Sequence, residues 1–185
     1  MSAAISCTDT QRAALEEAGL EVLGHCIRLS ARGPQITQSP LLEDFSPAEV
    51  DTLGAVMLQV KAQPGQVLIT EGQPGDWMML VLSGTVDVTR RSIVRGEPDG
   101  GTVSRLGVVK AGAAVGEMSM LDGEPRYATC TAIETVEFGV LCRAAVAHLI
   151  RSEPAVGAKL LVKITQLLAQ RLRNTSNQLV NLLQK

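Results

Sequence analysis

A series of short apolar runs separated by turn-forming residues constrains the fold of this chain most. The runs are rich in valine, leucine, isoleucine and threonine, and they lie at residues 66–70, 77–83, 84–90, 101–109, 126–133 and 135–141. Closely spaced runs of this kind are typical of an antiparallel sandwich or jelly roll, and not of βαβ units. The sequence therefore predicts a mainly β domain, with helices on its flanks.

The N-terminal region carries a weaker, helical pattern. Residues 10–29 place leucine, valine and isoleucine at irregular helical spacing, interrupted by Gly19 and Gly24. This pattern predicts a helix. Residues 31–40 have the composition of a linker, so we expect a helix joined to the β domain by an extended connection.

Three further helices are predicted on either side of the β runs. Ser46 reads as an N-cap, with proline in the first turn and Glu49 completing a capping box, which predicts a short helix from about Pro47 to Met57. After the last β run, residues 143–150 look helical. Pro154 restarts the chain, and a long helix is expected to continue to about residue 183.

The long C-terminal helix carries a heptad seam. Alternating spacings of four and three residues connect Leu161, Thr165, Leu168, Leu172, Thr175, Leu179 and Leu182. Such a seam seeks a partner helix, and about 30 helical residues span roughly 45 Å, more than a compact barrel needs as a cover. The sequence therefore predicts a homodimer through this helix.

Charge and hydropathy exclude several classes of protein. The formal net charge is −2, which lacks the basic footprint of an autonomous nucleic-acid binder. Arg90, Arg91 and Arg95 are predicted to lie in a solvated, turn-rich loop. No apolar run approaches the ~18 residues of a transmembrane helix, so no membrane association is expected.

The cysteine and histidine pattern indicates neither a disulfide framework nor a metal site. Cys7, Cys26, Cys130 and Cys142 lack metal-like spacing, and no basic and apolar leader precedes them. His25 adjoins Cys26, but neighbouring side chains on a helix diverge, and no third ligand is in view. We therefore expect reduced thiols, a cytoplasmic protein and no bound metal.

The segment Gly116 to Thr129, GEMSMLDGEPRYAT, carries the clearest chemistry. Gly116 lets backbone N–H groups approach phosphate oxygens. Glu117 offers a carboxylate that can accept a hydrogen bond from a sugar hydroxyl. Arg126, after Pro125, offers a planar fork of donors suited to phosphate. The pattern indicates a site for a small phosphorylated sugar; the alternative is a surface hairpin with solvated charges.

The same segment resembles the phosphate-binding cassette of cyclic nucleotide-binding domains, found in catabolite activator proteins and protein kinase A regulatory subunits. The likeness extends upstream through residues 64–88, whose glycines fall where that family turns its strands, and covers roughly Leu41 to the C-terminus. The resemblance implies a double-stranded β-helix or jelly-roll barrel at residues 41–153. A helical extension and linker at 1–40 precede it, and a dimerisation or lid helix at 154–185 follows.

The resemblance also implies roles for individual residues. Glu117 would bind the ribose 2′-hydroxyl, and Arg126 would bind the exocyclic oxygens of the cyclic phosphate. The other ligand-binding positions are expected at Gly116, Met118, Ser119 and Tyr127. Two residues depart from the family pattern: Tyr127 replaces a small residue beside the phosphate, and Val115 replaces a common aromatic. Tyr127 either crowds the pocket or points elsewhere.

Residues 168–182 resemble the part of the catabolite activator dimer helix that caps the bound nucleotide. By this resemblance, Thr175 would contact adenine in its own protomer and Ser176 would contact adenine in the partner's site. The alternative is that both hydroxyls bond backbone carbonyls on an exposed helix.

Together these features predict a cytosolic cyclic nucleotide sensor, most readily for cAMP, that is not an enzyme, needs no cofactor and signals through a partner protein. The chain stops at Lys185, where catabolite activators would begin their helix-turn-helix, so direct DNA binding is not expected. The output is then expected through a partner protein, through the N-terminal 40 residues, or through a longer protein of which this chain is a fragment. Three alternatives stay open. They are a degenerate dimerisation or scaffold module, a sensor for cGMP or a cyclic dinucleotide, and a small hydrolase using Glu117 with His148.

Overall fold

The structure, a computed structural model, describes residues 2–92 and 102–184. Its helices are α1 (Ser2–Glu17), α2 (Pro34–Thr37), α3 (Pro47–Ala55), α4 (Glu117–Asp122), α5 (Arg143–Ser152) and α6 (Pro154–Leu183), and a 3-10 turn spans Leu29–Ala31. Its strands are β1 (Glu21–His25), β2 (Leu58–Ala62), β3 (Val67–Ile69), β4 (Trp77–Ser83), β5 (Thr85–Ser92), β6 (Thr102–Lys110), β7 (Ala114–Val115), β8 (Thr129–Ala132) and β9 (Val136–Cys142).

The strands form two antiparallel sheets. Within the described ranges, one sheet has the order β1-β2-β9-β4-β7 and the other has the order β3-β8-β5-β6. Apolar side chains from both sheets meet in a shared core that includes Val60, Val86, Phe138 and Val140. This arrangement confirms the predicted mainly β fold with flanking helices.

The central strands β4 and β9 of the five-stranded sheet are buried on both faces, which explains why they read as continuous apolar runs. In β4, Met79 and Val81 enter the core between the sheets. Met78 and Leu80 point to the opposite face and join a second core. That second core is filled from the helical side by residues of α3, α5 and α6, including Leu160. β4 therefore connects the barrel interior to the helices.

The start of α3 follows the predicted capping box. Ser46 Oγ accepts a hydrogen bond from the Glu49 amide at 3.3 Å, and the Ser46 amide donates to Glu49 Oε2 at 2.7 Å. Lys159 of α6 donates to both carboxylate oxygens of Glu49, at 2.6 and 2.7 Å. The same glutamate thus caps α3 and ties it to α6.

The helix predicted over residues 10–29 is wrong in its second half. α1 ends at Glu17, and Gly19 has a φ of +78° that reverses the chain. β1 then pairs with β2, with Val22 opposite Val60. Pairing with an edge strand outweighs the irregular helical spacing. The expected linker also has structure of its own, because Ile36 in α2 is fully buried.

The basic loop predicted at Arg90, Arg91 and Arg95 is corrected in part. Arg90 and Arg91 lie on β5, paired with Ser104 and Val103 of β6. Arg95 lies outside the described residues. β2 and the two-residue β7 were not among the predicted runs, whereas each of the six predicted runs overlaps a strand.

Candidate functional site

The cassette segment begins at a glycine that the local geometry requires. Gly116 follows β7 with a φ of +86° and forms the N-cap of α4. A Cβ at this position would lie 2.9 Å from Arg126 Nη1 and 3.1 Å from Ile69 Cδ1. Both the left-handed φ and the close approach of Arg126 therefore favour glycine.

The backbone of Arg126 is fixed by the loop that follows β3. Its amide donates to the Gln73 carbonyl at 2.8 Å, and its carbonyl accepts from the Gly72 amide at 2.9 Å. The residue is only 4% exposed. Burial lowers the pKa of the Arg126 guanidinium from its usual value, but an arginine ordinarily ionises far above neutral pH, so the group remains charged.

The guanidinium of Arg126 lies in a tight slot, and one of its N–H donor groups has no hydrogen-bond partner among the described residues. Nη1 donates to the Gly116 carbonyl at 2.9 Å. The group also lies against the backbone of Gly75, where an added Cβ would overlap it, and 4.6 Å from the centre of the Trp77 ring. Nη2 is buried and has no hydrogen-bond partner among the described residues. An acceptor supplied by a ligand would satisfy this donor.

Glu117 supplies the complementary group. It is the first residue of α4, and only 2% of it is exposed. Its Oε1 is paired with Arg171 Nη1. Its Oε2 is buried and has no hydrogen-bond partner within the described part of the chain. A buried carboxylate oxygen without a partner is costly unless a donor reaches it.

Arg171 is a site residue that sequence reasoning missed. It comes from α6, and besides pairing with Glu117 it donates from Nη2 to the Ala114 carbonyl of β7. Arg171 lies one helical turn before Thr175 and therefore shares its face. Its position four residues before Thr175, a predicted ligand-binding residue, could have identified Arg171 from the sequence.

The unpaired acceptor and the unpaired donor belong to one small site. Arg126 bonds the carbonyl of Gly116, and Gly116 immediately precedes Glu117. A ligand suited to both groups needs a hydroxyl for the carboxylate and an anionic oxygen for the guanidinium. A sugar phosphate carries both.

The remaining cassette positions differ in their surroundings. Ser119 is buried and its carbonyl accepts from Arg143 Nη2 at 2.9 Å, whereas Met118 is exposed at 43%. Tyr127 is 49% exposed. Its ring stacks on the guanidinium of Arg90, 3.8 Å from the ring centre. The aromatic partner of Arg126 is Trp77, so the two rings serve different arginines.

Thr175 and Ser176 are exposed on α6. Thr175 is four residues after Arg171, so it lies on the face of α6 that meets the cassette. Ser176 is rotated about 100° from it around the helix axis, as 3.6 residues per turn requires. The two hydroxyls therefore face different directions.

Within residues 2–92 and 102–184, no group of three or more His, Cys, Asp or Glu side chains is placed to hold a metal ion. The described helices include none that is long and apolar enough to cross a membrane. Cys26, Cys130 and Cys142 are buried.

Known proteins share this fold and sequence pattern. The family model of the cyclic nucleotide-binding domain matches residues 59–153. The chain is 34% identical over 142 residues to the cyclic AMP receptor protein of Thermus thermophilus, covering 76% of this chain and 61% of that protein. It is 28% identical over 148 residues to a CRP-like cAMP-activated global transcriptional regulator of Mycobacterium tuberculosis, covering 80% of this chain and 62% of that protein. The chain thus spans about three fifths of each of these relatives.

A solved structure agrees over most of the chain. A cyclic nucleotide-binding domain from Methylobacillus flagellatus superposes with a TM-score of 0.73 and 34% identity, covering 87% of this chain and 88% of that one. The family match covers just over half of the chain and includes both ends of the cassette. This chain belongs to the cyclic nucleotide-binding domain family, whose members are typically regulatory and non-catalytic.

Proposed function

We propose that the chain is a cytoplasmic sensor module for a cyclic nucleotide, with cAMP as the favoured ligand. It would act as a homodimer, signal through a partner protein and catalyse no reaction. Two buried, unpaired atoms carry this assignment: Glu117 Oε2 and Arg126 Nη2. The choice of cAMP is supported by the relatives from Thermus thermophilus and Mycobacterium tuberculosis, whose names specify that nucleotide.

In this assignment each unpaired atom meets one part of the ligand. Glu117 Oε2 accepts a hydrogen bond from the ribose 2′-hydroxyl. Arg126 Nη2 donates to an exocyclic oxygen of the cyclic phosphate. Backbone groups at Gly116, Met118 and Ser119 complete the phosphate site. The dry surroundings strengthen both contacts, because water does not compete for them.

The base would be contacted from α6. Thr175 shares the helix face of Arg171, which reaches the cassette through Glu117, so Thr175 would meet the base of its own protomer. Ser176 faces another direction and would meet the base in the partner's site. Exposed leucines on the same helix, at 69% for Leu172, 55% for Leu179 and 70% for Leu182, support pairing of two copies.

The sensing mechanism would be a shift between two placements of α6. Arg171 joins α6 to Glu117, the residue that receives the ribose. A ligand that binds Glu117 therefore acts on the same carboxylate that holds the helix. Binding can shift the helix only by as much as the ligand favours one placement over the other, and contacts to Thr175 and Ser176 would supply that difference.

The exposed stacking of Tyr127 on Arg90 favours a sensor over a degenerate scaffold module. A blocked pocket would require the tyrosine ring to satisfy or cover the Arg126 guanidinium. Arg126 instead stacks on Trp77 and keeps an unpaired Nη2, while Tyr127 is half exposed on Arg90.

Calorimetric titration of the purified chain with cAMP, cGMP and a cyclic dinucleotide tests the proposal. Saturable binding of cAMP is expected, with Arg126→Gln losing it, because removing one member of a desolvated charge pair costs about 3–5 kcal/mol. Arg12→Gln is the matched control, since Arg12 lies on α1 with a 4.0 Å ion pair to Glu16.

The other outcomes identify the alternatives. Tighter binding of cGMP or the dinucleotide would replace cAMP as the ligand. Binding of none of the three by a folded wild-type protein would leave the scaffold module. Turnover of bound nucleotide during long incubation would contradict the non-catalytic assignment.

A further inference from the structure

The positive charge of Arg126 is buried without a salt bridge. Ion pairs in the described residues join other arginines and lysines to carboxylates, but none includes Arg126. Asp76 and Glu117 act on it electrostatically without an ion pair. The groups that contact the guanidinium are the Gly116 carbonyl, the backbone of Gly75 and the ring of Trp77.

The ring of Trp77 is suited to this task. The face of an indole attracts a cation, and tryptophan does so best among the aromatic side chains. The chain contains one tryptophan, one tyrosine and two phenylalanines, so aromatic rings are scarce, and the sole indole lies on Arg126. A carboxylate in its place would compete with a phosphate for the guanidinium, whereas a ring binds the cation and leaves Nη2 unpaired.

The ring is held rigidly. Trp77 begins β4, pairs with Cys142 of β9 and packs against both hydrophobic cores. Gly75 lies two residues earlier, so in extended backbone its missing side chain would point to the same face. The guanidinium fills that space. The Gly75 backbone and the indole together form two walls of one slot.

We propose that Trp77 is a positioning residue for anion recognition: its ring stabilises and orients the Arg126 guanidinium in place of a carboxylate, so that Nη2 stays open for a phosphate oxygen. The ligand in this role rests on the proposed function. The contact between the ring and the guanidinium is independent of that proposal. Because Trp77 is the sole tryptophan, its fluorescence also reports the state of Arg126.

Titration of Trp77→Leu and Trp77→Phe with cAMP tests the role. The leucine variant is expected to bind about 2- to 30-fold more weakly, the range that a cation–π contact gives. The phenylalanine variant should recover part of that loss, because its ring also attracts a cation. Circular dichroism melting of each variant reports whether the fold is kept.

A second measurement separates positioning from core packing. In a double-mutant cycle with Arg126→Gln, measured in the free energy of unfolding, the coupling energy between positions 77 and 126 should be clearly different from zero, because glutamine removes the cation that the ring attracts. Additive losses would indicate that Trp77 only fills the core. Wild-type affinity in both Trp77 variants would overturn the proposal outright.

Tryptophan emission keeps the test informative if Trp77→Leu does not fold. Arg126→Gln should change the emission of the ligand-free protein, and cAMP should change emission in the wild type but not in Arg126→Gln. Unchanged emission in ligand-free Arg126→Gln would contradict the contact. Failure of the wild type to bind any cyclic nucleotide, with emission still sensitive to Arg126, would instead contradict the proposed function alone.

Discussion

The guanidinium of Arg126 fills the space that a side chain at residue 75 would need. A single methyl group at residue 75 therefore tests the site. In Gly75→Ala, the new Cβ would overlap the guanidinium of Arg126, which is the end of a flexible side chain and can move away. We expect a folded protein with at least about tenfold weaker cAMP binding, equivalent to about 1.4 kcal/mol. Calorimetry and thermal melting measure the two effects.

Gly107→Ala is the control for this substitution. An added Cβ there meets nothing within 4 Å, and its φ is not in the left-handed region. Its affinity should match the wild type. Equal affinity in Gly75→Ala would show that the guanidinium position described above is not needed for binding.

Because two thiols are buried, the free energy of unfolding is expected to fall at alkaline pH. Burial raises the pKa of Cys26 and of Cys130 from 9.0 to about 12. The folded state therefore holds these protons where the unfolded chain releases them, so the free energy of unfolding falls as pH rises from about 9 towards 12. Urea unfolding at pH 8 and pH 10.5 measures the decline. A Cys26→Ala, Cys130→Ala variant should show a smaller decline, and an equal one would contradict the assignment.

Sequence alone proposed the candidate residues that lie within one short segment. Gly116, Glu117 and Arg126 follow from the chemistry of one short segment. Arg171 was missed because its contact with Glu117 joins residues 54 positions apart. Trp77 was missed for the same reason, since nothing within residues 77–83 indicates that its ring faces an arginine on another loop. Side-chain partners between distant elements require the fold.

Arg171 connects the second half of α6 to the cassette through its ion pair with Glu117. Arg171→Gln would leave the buried Glu117 carboxylate without its cation. Because Arg171 is partly exposed, we expect a loss of about 1–2 kcal/mol in cAMP binding, below the range for fully buried pairs. Arg173→Gln is the matched control, as Arg173 makes an exposed 3.3 Å bond to Gln170. Equal affinities of the two variants in calorimetry would contradict the role of Arg171.

The heptad seam of α6 predicts association through exposed apolar residues. Leu172→Glu with Leu179→Glu would place like charges in the seam and should convert a dimer to a monomer in sedimentation equilibrium. Asn177→Glu, at an exposed position outside the seam, should remain dimeric. A wild type that sediments as a monomer with and without cAMP would remove the dimer from the proposal.

Helices and strands could be predicted from the sequence where residues close together in the chain determine them, and not where pairing with a distant strand does. The capping box placed the start of α3 at the right residue, because Ser46 and Glu49 satisfy each other. β1 was predicted as helix, because its five residues carry little alternation and are fixed by pairing with β2. The two-residue β7 is defined by its pairing with β4.

For the whole molecule, cAMP binding should raise stability by mass action. At a ligand concentration 100 times Kd the gain is about 2.7 kcal/mol, which for a chain of this size is roughly 5–10 °C in Tm. Thermal melting with increasing cAMP measures the shift. Glu117→Gln should show little of it, and a full shift in that variant would mean that the nucleotide does not use Glu117.

The uneven anchoring of α6 has a mechanical consequence. Leu160 and Ile164 are fully buried and Lys159 is tied to Glu49. Leu167 and Leu168 are partly buried against the same core, and from residue 170 on to Leu183 the helix is exposed. The stretch after Ile164 is about 28 Å long at 1.5 Å per residue. In the proposed sensor it would act as a lever that pivots near Ile164 and is moved at Arg171. A tilt of about 10° would move the C-terminal tip of the helix by ~5 Å, a displacement that a partner protein bound to that tip would detect.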